Sequence, residues 1–228
     1  MEPTFPLFRL PENAIVQVLQ NMDPDWLLII SLISTKIKHI VTSLLLKAGD
    51  VEICISDMIC LKVHIGRSLL ALNFYNDSND QNELLSVDIT LPVDAFLPLE
   101  SKTIQSSTPL NFSNWLNHIQ SVFCYTNPLN LDFHRYCERF EIQSLKDAIG
   151  NVDVLYVTSG VTNVFTKEVL KFFNASNNLF LERNPFKETH QIQQILIQNY
   201  TIIGFHDVYS LDDMLLVNII GLRWSKMV

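Results

Sequence analysis

The sequence predicts an α+β, α/β-type architecture in three zones. These are an N-terminal three-helix unit over residues 5–48, a short antiparallel β-meander over 51–100, and a leucine-rich-repeat-like region of β/α repeats with parallel strands over 111–228. Three observations carry this. Apolar residues recur at helical spacing before residue 49, they alternate with polar ones from residue 51, and strand-like apolar pairs return every 24 residues beyond residue 130. With 228 residues, 48% hydrophobic and 18% charged, the chain has too much apolar surface to stay disordered.

In the first zone, Pro11 fits a first helical turn, where its missing N–H costs nothing. Ile15, Val18, Leu19 and Met22 then make one apolar face. Asp23 is placed to cap a second helix, with Pro24 at its first position and Trp26, Leu27 and Ile30 behind it. Ser34 or Thr35 caps a third helix carrying Ile37, Ile40, Val41, Leu44 and Leu45, and Gly49 closes it. Three short helices bury little core alone, so a partner is expected to cover them.

The second zone changes to a period of two. Val51, Ile53 and Ile55 form one alternating segment, followed by Leu61, Val63 and Ile65, then Leu70, Leu72 and Phe74, then Val87, Ile89 and Leu91. Four such segments with short connections predict a meander with one solvated face. Residues 76–83 read as an exposed polar loop and residues 100–111 as a linker. Trp115, Leu116, Ile119, Val122 and Phe123 mark a further amphipathic helix.

In the third zone, Leu131, Leu155, Leu179 and Ile203 are spaced by 24 residues, and Phe133, Val157, Leu181 and Phe205 repeat that spacing two positions on. Helix-like segments fall between them over 140–149, 166–175 and 188–199. A fifth pair, Ile220 and Leu222, follows a shorter helical segment over 210–218. One helix between parallel strands fills the crossover they need. The Asn of a standard leucine-rich repeat is missing, so an irregular open α/β sheet is the competing architecture. Strand alternation puts Asp132, Tyr156 and Phe180 in one outward column and His134, Thr158, Glu182 and His206 in the next. Tyr156 and Phe180 are the expected anchors for a protein target, since aromatics are favoured at interfaces.

Several functions are set aside. A formal charge of −8 repels a phosphate backbone, so no nucleic acid is expected. The most apolar run, residues 26–33, is too short for a membrane span, and Met1-Glu2-Pro3 has no basic segment of a secretory signal. Cys54, Cys60, Cys124 and Cys137 form no paired motif and read as reduced thiols of a cytoplasmic or nuclear protein. Glycines are too far apart for a phosphate-cradling loop. Cys124, His134 and Cys137 lack zinc spacing, so no metal or cofactor is expected. His206-Asp207 is a lone dipeptide, and Asp212-Asp213 fits the start of a helix. Catalysis by this chain is not expected.

The run from Phe5 to Leu19, with Leu10-Pro11 and the spacing of Ile15 and Leu19, resembles an F-box. So do Met22-Asp23, Leu27-Leu28, Ser31-Leu32 and Ser34-Thr35-Lys36. The usual Trp of the third helix is replaced by Lys36-Ile37-Lys38-His39-Ile40, as in nematode F-box chains. Trp115 to Phe123, Asn184-Pro185-Phe186, Ile195 to Asn199 and Leu211 to Leu215 are similar to the nematode F-box-associated type 2 domain (FBA_2). Similar chains continue beyond the equivalent of Trp224-Ser225-Lys226, so the last strand, ending near Val228, is expected to lack a cover.

This resemblance implies a non-catalytic substrate-recognition subunit of a cullin-RING (SCF-type) ubiquitin ligase. The F-box binds a SKP1-like adaptor and, through it, a cullin, while the repeats hold an unknown protein substrate. Leu7, Leu10, Pro11, Ile15, Leu19, Leu27 and Leu28 are expected to divide between the internal core and the adaptor face. The alternative is a protein-interaction scaffold acting outside ubiquitin ligases, its N-terminal helices packed on its own repeats.

Overall fold

The computed structural model describes residues 7–76, 86–186, 201–205 and 221–224. A 3-10 turn (Leu7–Arg9) leads into α1 (Glu12–Leu19), α2 (Pro24–Ser31) and α3 (Thr35–Ser43). Pro11 stands at the N-cap of α1 rather than within it, where its carbonyl accepts from Ala14 and Ile15 at 2.9 and 3.1 Å. Asp23 stands at the N-cap of α2 with Pro24 at its first position, as expected, but its side chain makes no capping bond, whereas the Ser34 hydroxyl accepts from the Ile37 N–H at 3.3 Å to cap α3. The end of α3 differs from expectation. The helix stops at Ser43, and Leu45 takes the left-handed turn at φ 54° that a glycine usually supplies. Gly49 instead leads into the sheet, its N–H donating to the His64 carbonyl at 2.8 Å.

Among the described residues, ten strands form one mixed sheet in the order β10-β9-β8-β7-β6-β1-β2-β3-β4-β5. One half, β1 (Asp50–Ile55), β2 (Ile59–Ile65), β3 (Ser68–Phe74), β4 (Ala95–Leu97) and β5 (Lys102–Ile104), is an antiparallel meander. In the other half, β6 (Leu129–Phe133), β7 (Val152–Val157), β8 (Ala175–Leu181), β9 (Ile202–Phe205) and β10 (Gly221–Trp224) run parallel. The halves join where β1 pairs in parallel with β6. The architecture is therefore α+β.

Two expectations for the meander are corrected. Residues 87–91 form no strand: Val87 makes a single bridge to Phe140, and Leu91 is 58% exposed. The cause is local. The Asp88 carboxylate accepts from the Thr90 N–H at 2.9 Å and hydroxyl at 2.6 Å, folding the segment into a side-chain-closed turn despite its alternating pattern. The fourth strand is β4, and β5 lies inside the stretch read as a linker.

In the parallel half, Leu131, Leu155, Leu179 and Ile203 are register partners across four strands, as their spacing predicts. The fifth partner is Leu222, with Trp224 opposite Phe205, so the pair expected at Ile220 and Leu222 sits two residues later. A slip of two preserves strand parity, which is why alternation alone did not reveal it. Helix α5 (Ile142–Ile149) joins β6 to β7, and α6 (Asn163–Phe172), capped by Thr162, joins β7 to β8. Ala175 opens β8 rather than closing a helix. The helices expected over 188–199 and 210–218 lie outside the described residues.

Helices cover one face of the sheet. Phe165 and Phe173, from α6 and its end, pack edge-on or tilted against Phe133 at 6.1 and 5.7 Å between ring centres. On the meander, Phe74 meets Phe112 at 5.4 Å and Trp115 at 6.0 Å, both from α4 (Phe112–Val122). The Trp115 indole N–H donates to the Val93 carbonyl at 2.8 Å, so this buried aromatic is also satisfied. The N-terminal helices share that core. Leu19, Leu27 and Leu28 have no exposed surface, and Ala48 donates to the Phe123 carbonyl at 2.9 Å.

At this joint, Ser31 of α2 lies 2.7 Å from His118 Nε2 of α4 and donates its own proton to the Leu28 carbonyl. Burial, and then the Lys38 ammonium, push the His118 pKa down to about 4. The unfolded chain, with an ordinary imidazole, therefore binds a proton at a higher pH than the folded one. Stability should be full above pH 6.5 and fall as pH drops towards 4, by about 1–2 kcal/mol after allowance for partial solvent screening. Thermal melts of the wild type against His118→Gln between pH 7 and 4 check this: the difference between the two proteins should change across that window. A constant difference would count against a buried neutral imidazole.

Candidate functional site

No helix among the described residues lies on the other sheet face of the parallel half, where the polar members of the alternation emerge. Register sets them in rows. Cys60, Cys54, Asp132, Tyr156, Phe180 and Gly204 are successive partners across β2, β1, β6, β7, β8 and β9. All but Gly204 are half-buried. Lys62, Glu52, Asn130, Val154, Asn178 and Ile202 form the neighbouring row.

A third row is built by the ladder just beyond the strand ends. The N–H groups of His134, Thr158 and Glu182 donate to Ile55, Phe133 and Val157 at 2.8, 3.0 and 3.0 Å. The two columns expected from the sequence thus stand side by side through Asp132, Tyr156 and Phe180 and through His134, Thr158 and Glu182. His206 lies outside the described residues.

The aromatic part is held in place. Tyr156 and Phe180 rings are 6.1 Å apart, and Phe180 lies over Gly204, where a Cβ would come within 2.4 Å of the ring. Glycine at this position is what lets the ring lie flat against the next strand. The Tyr156 hydroxyl donates to the Glu182 carboxylate, whose other oxygen accepts from the Ser159 N–H and hydroxyl at 2.8 and 2.9 Å. Burial and then this carboxylate push the Tyr156 phenol up to about 12, so it is a neutral donor.

The polar part centres on residues that sequence reasoning missed: Glu52, Cys54 and Lys62, all from the meander. Lys62 donates to Glu52 at 2.9 Å and lies 3.4 Å from the Cys54 sulfur, and the Cys54 thiol donates to the same carboxylate oxygen at 2.9 Å. Burial works to raise the Glu52 pKa, but its bonds from Cys54 and Lys62 outweigh it and hold the group below the ordinary range. Burial first, then Glu52, push the Cys54 thiol up to about 12. Asp132 is pushed up to about 7, by burial and then by the Glu52 charge beside it. His134 is lowered by burial and by Lys62.

Cys124, His134 and Cys137 are not brought together. Cys54, Asp132 and His134 are the one group of metal-ligating side chains that converges among the described residues.

The residues expected to bind an adaptor separate by burial. Ile15, Leu19, Leu27 and Leu28 are core, Leu7 and Leu10 are half-buried against it, and Pro11 is exposed. Ile33 is 54% exposed at the end of α2 and borders a cleft of about 390 Å³ also lined by Ser34, Lys38, Thr108 and His118. Trp26, 45% exposed, carries the Lys102 ammonium 4.8 Å above its ring. No helix among the described residues is long and apolar enough to cross a membrane.

Residues 7–48 match the F-box domain family. No curated protein and no solved structure matches the chain.

Proposed function

We propose that this chain is a non-catalytic substrate-recognition subunit of an SCF-type, cullin-RING ubiquitin ligase. Its F-box docks on a SKP1-like adaptor and, through it, on a cullin, while the sheet face that no described helix covers captures a protein target. The match of residues 7–48 to the F-box domain carries this reading. F-box domains typically bind SKP1-like adaptors within such complexes. Leu7, Leu10 and Pro11, at the accessible start of the bundle, supply the adaptor face. Ile15, Leu19, Leu27 and Leu28 support it from beneath. The likeness to nematode F-box chains with an F-box-associated type 2 domain, the leucine-rich-repeat-like character of the parallel half and a cytoplasmic or nuclear location belong to the same proposal.

Target capture is assigned to Tyr156 and Phe180, flanked by Asp132, His134, Thr158 and Glu182, with His206 expected beside them. Aromatic rings fixed on a rigid strand lose little entropy on binding and concentrate interface energy. Tyr156→Ala with Phe180→Ala should reduce capture of a target at least tenfold, measured by quantitative co-purification with and without the substitutions. Adaptor binding should be unchanged. Full target capture by the double variant would remove the sheet face from this role.

One observation favours a second reading, a scaffold acting outside ubiquitin ligases. The N-terminal helices are already packed on their own sheet, through Leu27, Leu28 and the Ser31–His118 contact. Purified protein that stays monomeric and ignores the adaptor supports it.

A further inference from the structure

We propose that Cys54, Asp132 and His134 form a binding site for a divalent transition ion of the zinc class on the sheet face that no described helix covers. The inference stands whether or not the ubiquitin-ligase reading does. It starts from geometry. One ligand atom from each of the three side chains lies within 4.8 Å of the others, and neighbouring ligands around a tetrahedral zinc sit roughly 3.5 Å apart. Small rotamer adjustments close that difference.

The backbone under them is fixed. Cys54 and Asp132 are register partners in the parallel β1–β6 pair, and the His134 N–H is bonded to the Ile55 carbonyl at 2.8 Å. Ligands on paired strands are held more rigidly than ligands on loops.

Charge points the same way. Glu52 is matched by Lys62 at 2.9 Å. Asp132 hydrogen-bonds to Glu52, so two carboxyl groups face each other, and among the described residues it shares Lys62 with Glu52 and makes no ion pair of its own. A divalent ion bound by the Cys54 thiolate, the Asp132 carboxylate and neutral His134 is electrically balanced. The Cys54 thiol proton and the proton held between Asp132 and Glu52 both leave to solvent as the sulfur–metal and oxygen–metal bonds form, which frees the Glu52 oxygen that the thiol occupied. Lys62, 3.4 Å from that sulfur, then donates to the thiolate without touching the ion while remaining paired with Glu52.

The donor set selects the ion. Thiolate and imidazole favour zinc over magnesium or calcium, which take oxygen shells. Three protein ligands leave the fourth position to water, the pattern of an open rather than a closed zinc site. None of the three sequence spacings announces this, because the ligands meet only through β1–β6 pairing.

The test uses the full-length chain, stripped with chelator under a phosphine reductant, because Cys60 faces Cys54 across β1–β2, and then reloaded with Zn²⁺ or Co²⁺. Elemental analysis after gel filtration should find about one equivalent of either ion per chain. The cobalt form should show a thiolate-to-metal charge-transfer band. Cys54→Ser should abolish the band, and His134→Gln and Asp132→Asn should each weaken Zn²⁺ binding at least tenfold. Cys124→Ser should leave all of this unchanged. Circular dichroism keeps the readings interpretable, and the Asp132→Asn variant serves if Cys54→Ser misfolds. Reloaded wild type that retains no ion, or a cobalt band that survives Cys54→Ser, overturns the site.

Discussion

Leu10→Ala combined with Pro11→Ala should abolish co-purification with the adaptor while leaving the sheet folded. Leu10 is half-buried and Pro11 exposed, side by side where the chain enters α1. Neither is enclosed by the core, so their loss should cost the fold little, about 1 kcal/mol for the partly buried leucine. At an interface the same two groups sit where a partner can desolvate them, and interface energy gathers in a few such residues. A loss of at least tenfold in affinity, read by pull-down or calorimetry, with a melting temperature lowered by only a few degrees, is the expected pattern.

Leu28→Ala is the control for the opposite mechanism. That side chain has no exposed surface, so its truncation costs about 2–5 kcal/mol and weakens binding only by loosening the bundle. If the Leu10/Pro11 variant binds the adaptor like wild type, docking uses another face.

How far the fold was legible depends on the range of the physics involved. The helix starts at Asp23-Pro24 and Ser34 are set within one turn, and sequence placed both correctly, although only Ser34 closes its cap with a side-chain bond. The parallel strands were visible because each repeats the same apolar pair, and Leu131, Leu155 and Leu179 do meet in register. Residues 87–91 misled because apolar alternation says nothing of the Asp88 turn that bends them. Gly49 misled because Leu45 had already taken the left-handed position. The Glu52, Cys54 and Lys62 part of the site had no local mark beyond polar residues on an alternating strand. Those three meet through the local β1–β2 hairpin, but they join Asp132 and His134 only because β1 lies against β6, a pairing of segments remote in sequence, and no periodicity encodes which remote strand a central strand will choose.

The core around α4 decides how the molecule should melt. Trp115→Ala removes the largest side chain that is fully buried among the described residues, together with its 2.8 Å bond to Val93 and its contact with Phe74. Truncating a buried tryptophan costs about 3–5 kcal/mol, which for a protein of this size lowers the melting temperature by roughly 10 °C. The informative part is where the loss is felt. Helix α4 supports β3 on one side and contacts α2 and α3 on the other, so the N-terminal helices and the sheet draw on one core.

Hydrogen exchange on Trp115→Ala should therefore show α2 and the meander losing protection together, within a single calorimetric transition. An F-box that was independent would keep its protection while the sheet opened. That outcome would separate the two parts and restore the view that only an outside partner covers the apolar side chains of α2. Joint loss means that adaptor docking acts on a bundle already completed by its own chain. The affinity available to the adaptor then comes from the accessible edge at Leu7, Leu10 and Pro11 rather than from the buried leucines of α2.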